Sequence, residues 1–192
     1  MKVGVLALQG DFLEHQILLE KLQVETSQVR LPADLRNLDG LIIPGGESTT
    51  IGKLAVDFEL IDPLRDFAQN HAVWGTCAGS ILLSKDARRE QPLLDVMDIQ
   101  VSRNAFGRQI DSFEIDIEFA VLSTISKDNP PFHAVFIRAP QIEKVGEGVE
   151  VIGKLPTGEI VAARQSALLA TSFHPELTND DRFHRYFLEM LQ

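Results

Sequence analysis

The chain has 192 residues, 44% of them hydrophobic and 24% charged. This ordinary globular composition excludes a disordered chain, a collagen-like repeat and a disulfide-stapled mini-protein, and the length predicts one domain over residues 1–192. The net charge of −10 disfavours nucleic acid and anionic membranes as partners. A transmembrane run and a signal peptide are both lacking, and Cys77 is the only cysteine. We therefore expect a soluble cytoplasmic protein.

Strand and helix patterns alternate in the first half of the chain. Short apolar runs closed by glycine or proline predict buried strands, and apolar residues at helical spacing follow them. Strands are predicted at residues 3–8, 24–31, 41–43 and 72–74. Helices are predicted at 12–23, from about 49 to 70 with a break at Pro63, and from Ser80. This alternation predicts an α/β fold of three layers, with a mostly parallel sheet flanked by helices.

The second half is richer in strand patterns. Residues 112–119 alternate apolar and acidic side chains, which predicts a half-buried strand. Further strands are predicted at 134–137, 149–152, 160–163 and 167–173, as antiparallel additions to the sheet. A final helix is predicted from about residue 180, with Thr178 and Asp181 at the spacing of a capping box.

Residues 75–79 have the form G-x-C-x-G, directly after a predicted strand and before a helix. That context is typical of a nucleophile elbow, here with Cys77 in place of serine. The following helix favours the thiolate. A lone cysteine is more often a small buried hydrophobe, so this motif alone leaves both interpretations open.

His174 and Glu176 follow a predicted strand, 97 residues after the cysteine. In an extended segment residues i and i+2 point the same way, so Glu176 can orient the His174 imidazole while His174 exchanges a proton with Cys77. This pairing favours a catalytic triad. The other four histidines are better interpreted as structural, namely His15, His71, His133 and His184.

A glycine-rich segment, residues 44–50, follows the strand at 41–43 and opens a helix. A backbone N–H of this segment, together with that of Ala78, can form an oxyanion hole. The same segment is also a plain strand-to-helix turn with Ser48 or Thr49 as the helix N-cap. A phosphate-binding loop is disfavoured because no Gly-Lys-Ser/Thr follows.

These motifs resemble those of the class I (triad) glutamine amidotransferases, whose α/β fold is flavodoxin-like. Within that group, five segments are similar to the glutaminase subunits of pyridoxal 5′-phosphate synthase. They run from residue 8 to 178: residues 8–10, 44–50, 103–109, 136–140 and 172–178. Two positions depart from the pattern: Ala105 stands where a small polar residue is expected, and Ser80 where an aliphatic one is expected.

The resemblance implies a glutaminase that passes ammonia to a separate synthase subunit, itself a (β/α)₈ barrel. Glutamine is the implied substrate, with no metal or organic cofactor in this subunit. Six residues are implied to contact it: Gly46, Glu47, Ser48, Arg103, Ile137 and Arg138. A guanidinium suits the α-carboxylate of glutamine. The peptide between Gly45 and Gly46 can turn over at little steric cost, which predicts a switch controlled by the synthase.

Three alternatives remain open. A glutaminase of another pathway, such as histidine biosynthesis, is disfavoured by residues 103–109 and 137–140. A cysteine peptidase or protective protein of the related α/β superfamily would not be expected to carry His-Pro-Glu so near the C-terminus. A non-catalytic interaction subunit is disfavoured by the intact Cys77, His174 and Glu176.

Overall fold

The computed structural model describes residues 1–103 and 112–191. Its first half alternates strands and helices, as the apolar periodicity predicts. The strands are β1 (Lys2–Leu6), β2 (Glu25–Val29), β3 (Gly40–Ile43) and β4 (Ala72–Thr76). The helices are α1 (Phe12–Lys21), α2 (Ser48–Asp57), α3 (Ile61–Asn70) and α4 (Ala78–Leu83).

The rest of the described chain is dominated by strands and closes with a helix. The strands are β5 (Ser84–Asp86), β6 (Met97–Ser102), β7 (Ser112–Ile117), β8 (Phe132–Ile137), β9 (Gln141–Val145), β10 (Glu150–Lys154), β11 (Ile160–Gln165) and β12 (Leu168–Thr171). The last helix is α5 (Arg182–Glu189), preceded by a 3₁₀ helix at Pro175–Leu177.

The main sheet has the strand order β2-β1-β3-β4-β12-β11-β9-β6-β5, with β10 paired to β11. The first five strands in that order, from β2 to β12, are parallel to one another. Strand β11 runs antiparallel to β12, β10 and β9. Strands β7 and β8 form a separate antiparallel pair. The mostly parallel sheet with antiparallel additions confirms the predicted fold class.

Side chains from both faces of the sheet build two apolar cores. Along β3, Leu41 and Ile43 enter one core and Ile42 enters the other, because alternate side chains leave a strand on opposite faces. Helices α2, α3 and α4 contribute to the first core, whereas α1, α5 and the β7–β8 pair contribute to the second. The three predicted layers are therefore helix, sheet and helix.

Two local predictions were wrong. The helical stretch at 49–70 breaks at residues 58–60, where Glu59 has a φ of +55°, and not at Pro63. Pro63 lies in the first turn of α3, where a missing N–H costs nothing. Thr178 and Asp181 form no capping box: Asp181 occupies the N-cap, but its carboxylate pairs with Arg185 and does not cap the backbone, and the Thr178 hydroxyl accepts a hydrogen bond from the N–H of Asp180.

Strands β5, β6 and β9 were not predicted, and each carries at least one charged residue. None of the helices in the two described ranges is long and apolar enough to cross a membrane.

Candidate active site

Cys77 sits at a sharp turn between β4 and α4, as the elbow motif predicts. Its backbone has φ +46° and ψ −108°, a conformation that side chains larger than glycine rarely adopt. Two hydrogen bonds hold the turn: the Cys77 N–H donates to the Thr171 carbonyl at 2.8 Å, and the Ser80 hydroxyl donates to the Cys77 carbonyl at 2.7 Å. Ser80, the unusual residue of the motif, is therefore satisfied although it is fully buried.

Close packing against β3 explains the second glycine of the elbow. A Cβ atom on Gly79 would lie 2.0 Å from the carbonyl oxygen of Ile43. No side chain fits there, because the obstacle is the backbone of a central strand. The cysteine turn is therefore fixed on the core of the sheet.

His174 and Glu176 lie together behind the cysteine. The His174 Nδ1 atom is 2.7 Å from Glu176 Oε1, and both side chains are buried. Their closeness was predicted, but the reason given for it was wrong: the segment is not extended. His174 instead caps the 3₁₀ helix that contains Glu176, and its own N–H donates to the Val135 carbonyl on β8 at 2.8 Å.

Sheet register brings the triad residues together across 97 residues of sequence. Strands β4 and β12 are parallel neighbours, with Thr76 opposite Thr171. Cys77 follows one of these residues, and the segment leading to His174 follows the other. Both therefore leave the same carboxyl edge of the sheet, where ligands bind in open α/β folds.

The electrostatics favour an imidazolium at His174. Burial alone opposes a charge there, but hydrogen bonds with Cys77 and Glu176, and the attraction of these two groups, raise the pKa of His174 to about 11. Burial raises the pKa of Glu176, although its hydrogen bond with His174 opposes this change. The arrangement can hold a proton on His174 beside the Cys77 sulfur, the candidate nucleophile.

The loop after β3 packs directly on the His174 ring. A Cβ on Gly45 would lie 2.4 Å from His174 Cε1, so only glycine permits this approach. The loop after β1 holds it in place: the Asp11 N–H donates to the Gly45 carbonyl at 3.1 Å, and Gln9 Oε1 accepts from the Glu47 N–H at 2.7 Å.

Glu47 is the N-cap of α2, whereas the sequence suggested Ser48 or Thr49. Its carboxylate accepts the N–H groups of Thr49 and Thr50 and both of their hydroxyls, and it pairs with Arg103 Nη2 at 2.9 Å. Burial would raise its pKa, but the threonine hydrogen bonds outweigh burial and lower the pKa of Glu47 to about 2. The carboxylate thus fixes Arg103 at the site.

A cavity of about 380 Å³ opens above the cysteine, a volume suited to a small metabolite. Apart from Glu176, which is buried behind His174, every residue predicted for the site lines it. Those residues are Gly46, Glu47, Ser48, Cys77, Ala78, Arg103, Ile137, Arg138 and His174. Residues 104–109 of the family motif, including Ala105, lie outside the described residues.

Sequence reasoning assigned no role to several other lining residues, notably Gln9, Asp11 and Leu177. Asp11 Oδ2 lies 3.5 Å from His174 Nδ1, and burial raises the pKa of Asp11 while His174 opposes the shift. The signal that could have found Gln9 is the glycine turn at the end of β1, because β1 is parallel to β3 and ends at the same edge.

Asp11, His174 and Glu176 place one potential metal-ligand atom each within 4.8 Å of one another. However, the His174 nitrogen facing this group is engaged by Glu176 at 2.7 Å. A metal would have to replace that hydrogen bond, so the geometry favours proton transfer over metal binding.

Comparisons with known proteins agree with this geometry. Residues 5–192 match the SNO glutamine amidotransferase family. The chain is 59% identical to the pyridoxal 5′-phosphate synthase subunit PdxT of Herpetosiphon aurantiacus, covering 98% of this chain and 99% of the relative. It is 55% identical to the same subunit of Dehalococcoides mccartyi, covering 99% and 97%.

Among solved structures, a glutamine amidotransferase shares 51% identity and a TM-score of 0.91, covering 98% of each chain. PurLQS from Thermotoga maritima, at 13% identity and a TM-score of 0.75 over 100% of this chain and 99% of that one, shares the fold alone. The motifs, the cavity and these similarities lead to one conclusion: the chain belongs to the SNO glutamine amidotransferase family.

Proposed function

We propose that this chain is the glutaminase subunit of a pyridoxal 5′-phosphate synthase, hydrolysing L-glutamine to L-glutamate and ammonia. The observation that carries the proposal is the buried Cys77–His174–Glu176 set at the floor of a small-molecule cavity. The name carried by the full-length relatives supplies the pathway.

The reaction proceeds in two halves. The Cys77 sulfur attacks the carboxamide carbon of glutamine, and the resulting oxyanion accepts hydrogen bonds from the backbone N–H groups of Gly46 and Ala78. His174 gives its proton to the departing nitrogen, which leaves as ammonia, and a γ-glutamyl thioester remains on Cys77.

Water completes the cycle. His174, now neutral, takes a proton from water as it attacks the thioester carbonyl, and collapse of the second tetrahedral species releases glutamate and the Cys77 thiolate. Glu176 keeps the Nδ1 proton of His174 in place throughout, so that the other ring nitrogen serves the reacting atoms. No step needs a metal or an organic cofactor.

Arg103 is the best candidate to bind the α-carboxylate of the substrate. It lines the cavity, one of its nitrogens is held by Glu47, and its buried Nη1 has no hydrogen-bonding partner among the described residues. A free guanidinium nitrogen in that position is suited to a carboxylate. Arg138, Ile137 and Ser48 complete the proposed glutamine contacts, and Glu47 acts through Arg103.

The partner is proposed to be the synthase subunit, a β/α barrel, which receives the ammonia in the cytoplasm. Because free ammonia would be wasted without an acceptor, we expect the partner to activate the glutaminase. The Gly45–Gly46 peptide is the proposed switch, in which docking selects the orientation with the N–H toward the oxyanion.

The test is ammonia release from glutamine by wild-type and Cys77→Ala chains, each with and without the synthase subunit. We expect the variant to fold, to bind the synthase and to lose hydrolysis. Residual activity above a few per cent in the folded variant would reject Cys77 as the nucleophile. Cys77→Ser is the matched control, since it replaces only the sulfur atom by oxygen and so tests whether hydrolysis requires the thiol.

A further inference from the structure

Two buried histidines outside the triad lie directly behind it. His15 comes from α1 and His184 from α5, and both are fully buried. Their sequence positions gave no reason to connect them with catalysis. In the folded chain, however, His15 reaches the carboxylate of Glu176.

The contacts of His15 form a short polar chain. Its Nε2 atom lies 3.4 Å from Glu176 Oε2 and 3.2 Å from the Thr76 hydroxyl, while its Nδ1 atom lies 3.0 Å from His184 Nε2. Glu176 Oε1 is occupied by His174, but the buried Oε2 has no aligned hydrogen bond among the described residues. His15 Nε2 is thus placed to stabilise the negative charge on that buried oxygen.

Burial favours the neutral form of both histidines, in which each ring carries one proton. Burial is the largest cause that holds the pKa of His15 well below its usual range, followed by its electrostatic interactions with His184 and His174, and burial lowers the pKa of His184 to about 3. If His184 donates its Nε2 proton to His15 Nδ1, the proton of His15 must sit on Nε2. The opposite tautomer would point a lone pair at the Glu176 carboxylate, which is repulsive.

Aromatic packing holds the two rings in this orientation. The Trp74 ring meets His15 edge-on at 5.7 Å and His184 edge-on at 5.0 Å. Trp74 is itself anchored, because its indole N–H donates to the Thr171 hydroxyl at 3.1 Å. Neither imidazole can turn without displacing the centre of this core.

We propose that His15 is a positioning residue for the triad: its Nε2–H, bonded to Thr76 and 3.4 Å from the second oxygen of Glu176, stabilises the charge on that oxygen, so that the first stays directed at His174. Thr76 shares the same N–H, and His184 sets the tautomer from behind. This inference rests on the proposed function, since it assigns a role within the same reaction.

The experiment compares His15→Met with His15→Gln in glutamine hydrolysis by the complex with the synthase. Met keeps an unbranched side chain of similar length but no donor, whereas the Gln amide nitrogen reaches the position of Nε2. We expect Met to lower kcat about 10-fold, the effect of removing one N–H that stabilises a buried charge, with KM within twofold. Gln should recover most of the loss.

The pH profile separates positioning from packing. Without the donor the buried Glu176 carboxylate is less stabilised, so the acidic limb of kcat should move to higher pH in the Met variant and return in the Gln variant. His71→Met is the matched control, because His71 lies at the opposite end of β4 from Cys77; it should leave kcat and the profile unchanged.

Equal losses in the Met and Gln variants, or a Met variant with wild-type kcat and pH profile, would overturn the proposal. A second measurement tests the role of His15 separately from the proposed function. The rate at which iodoacetamide alkylates Cys77 is measured by mass spectrometry as a function of pH, without glutamine. Slower alkylation of the Met variant alone supports the role of His15 even if the wild-type complex fails to hydrolyse glutamine. Such a failure would reject the proposed function only.

Discussion

Removing the Glu47 carboxylate tests how the fold and the substrate site are joined. In Glu47→Ala, helix α2 loses its N-cap, which costs about 1 kcal/mol. The variant also loses a half-exposed ion pair with Arg103, which adds about 0.2–1 kcal/mol. At about 2–4 °C per kcal/mol for a chain of this size, the melting temperature should fall by about 2–8 °C.

Glu47→Asn is the matched control. Asparagine caps a helix as well as an acid does, but its shorter side chain does not reach Arg103. Its melting temperature at pH 7 should therefore fall less than that of the Ala variant, while both variants raise KM for glutamine because Arg103 is released. Equal melting temperatures for the Ala and Asn variants would refute the assignment of the cap.

The stability that Glu47 contributes should depend on pH in one direction. The pKa of Glu47 is lowered to about 2 in the fold from an ordinary 4.5, so its stabilisation is fully present above pH 4.5 and is lost as the pH falls through 2. The difference between wild type and Glu47→Ala should be constant near neutral pH and shrink towards pH 2. A difference that grows on acidification would contradict the sign of the shift.

Three further predictions concern the elbow, the substrate and the partner. Gly79→Ala should cost about 1–3 kcal/mol of stability and most of the activity, because its Cβ meets the Ile43 carbonyl; unchanged thermal unfolding would disprove that contact. Arg103→Ala should raise KM far more than it lowers kcat, and steady-state kinetics with an unchanged KM would reject the clamp. Added synthase should accelerate hydrolysis at saturating glutamine by about 10²–10³, the value of one oxyanion donor, whereas a free chain working at full rate would exclude the switch.

The sequence was most informative where chemistry and chain geometry coincide. The glycines around Cys77 and the strand ahead of His174 predicted which residues meet, because parallel strands deliver their carboxyl ends to one edge. The predicted position of Gly46 follows from this rule, because Gly46 comes after β3, a parallel neighbour of β4. The position of Arg103 was implied by its motif alone, since β6 runs antiparallel to β9 and ends outside this rule.

The contacts that were missed depend on packing between distant elements. No pattern within α1 shows that His15 will lie against Glu176, since this requires α1 and α5 to dock on the same face of the sheet. The N-cap of α2 was misassigned for a local reason: Glu47 is an unusual cap, and only its bond to Arg103 and the threonine hydroxyls explains its place.

The pairing of β4 with β12 sets the relative position of the nucleophile and its proton donor. Thr76 lies opposite Thr171, and Cys77 and His174 follow these two residues along the chain. A slip of two residues, the smallest that keeps each side chain on its own face, would displace one partner by about 7 Å. Insertions in the loops between the two strands leave this pairing intact, so the loops that do not carry Arg103, Ile137 or Arg138 are free to diverge and acquire partner-specific surfaces. A single deletion inside β12 has no such freedom.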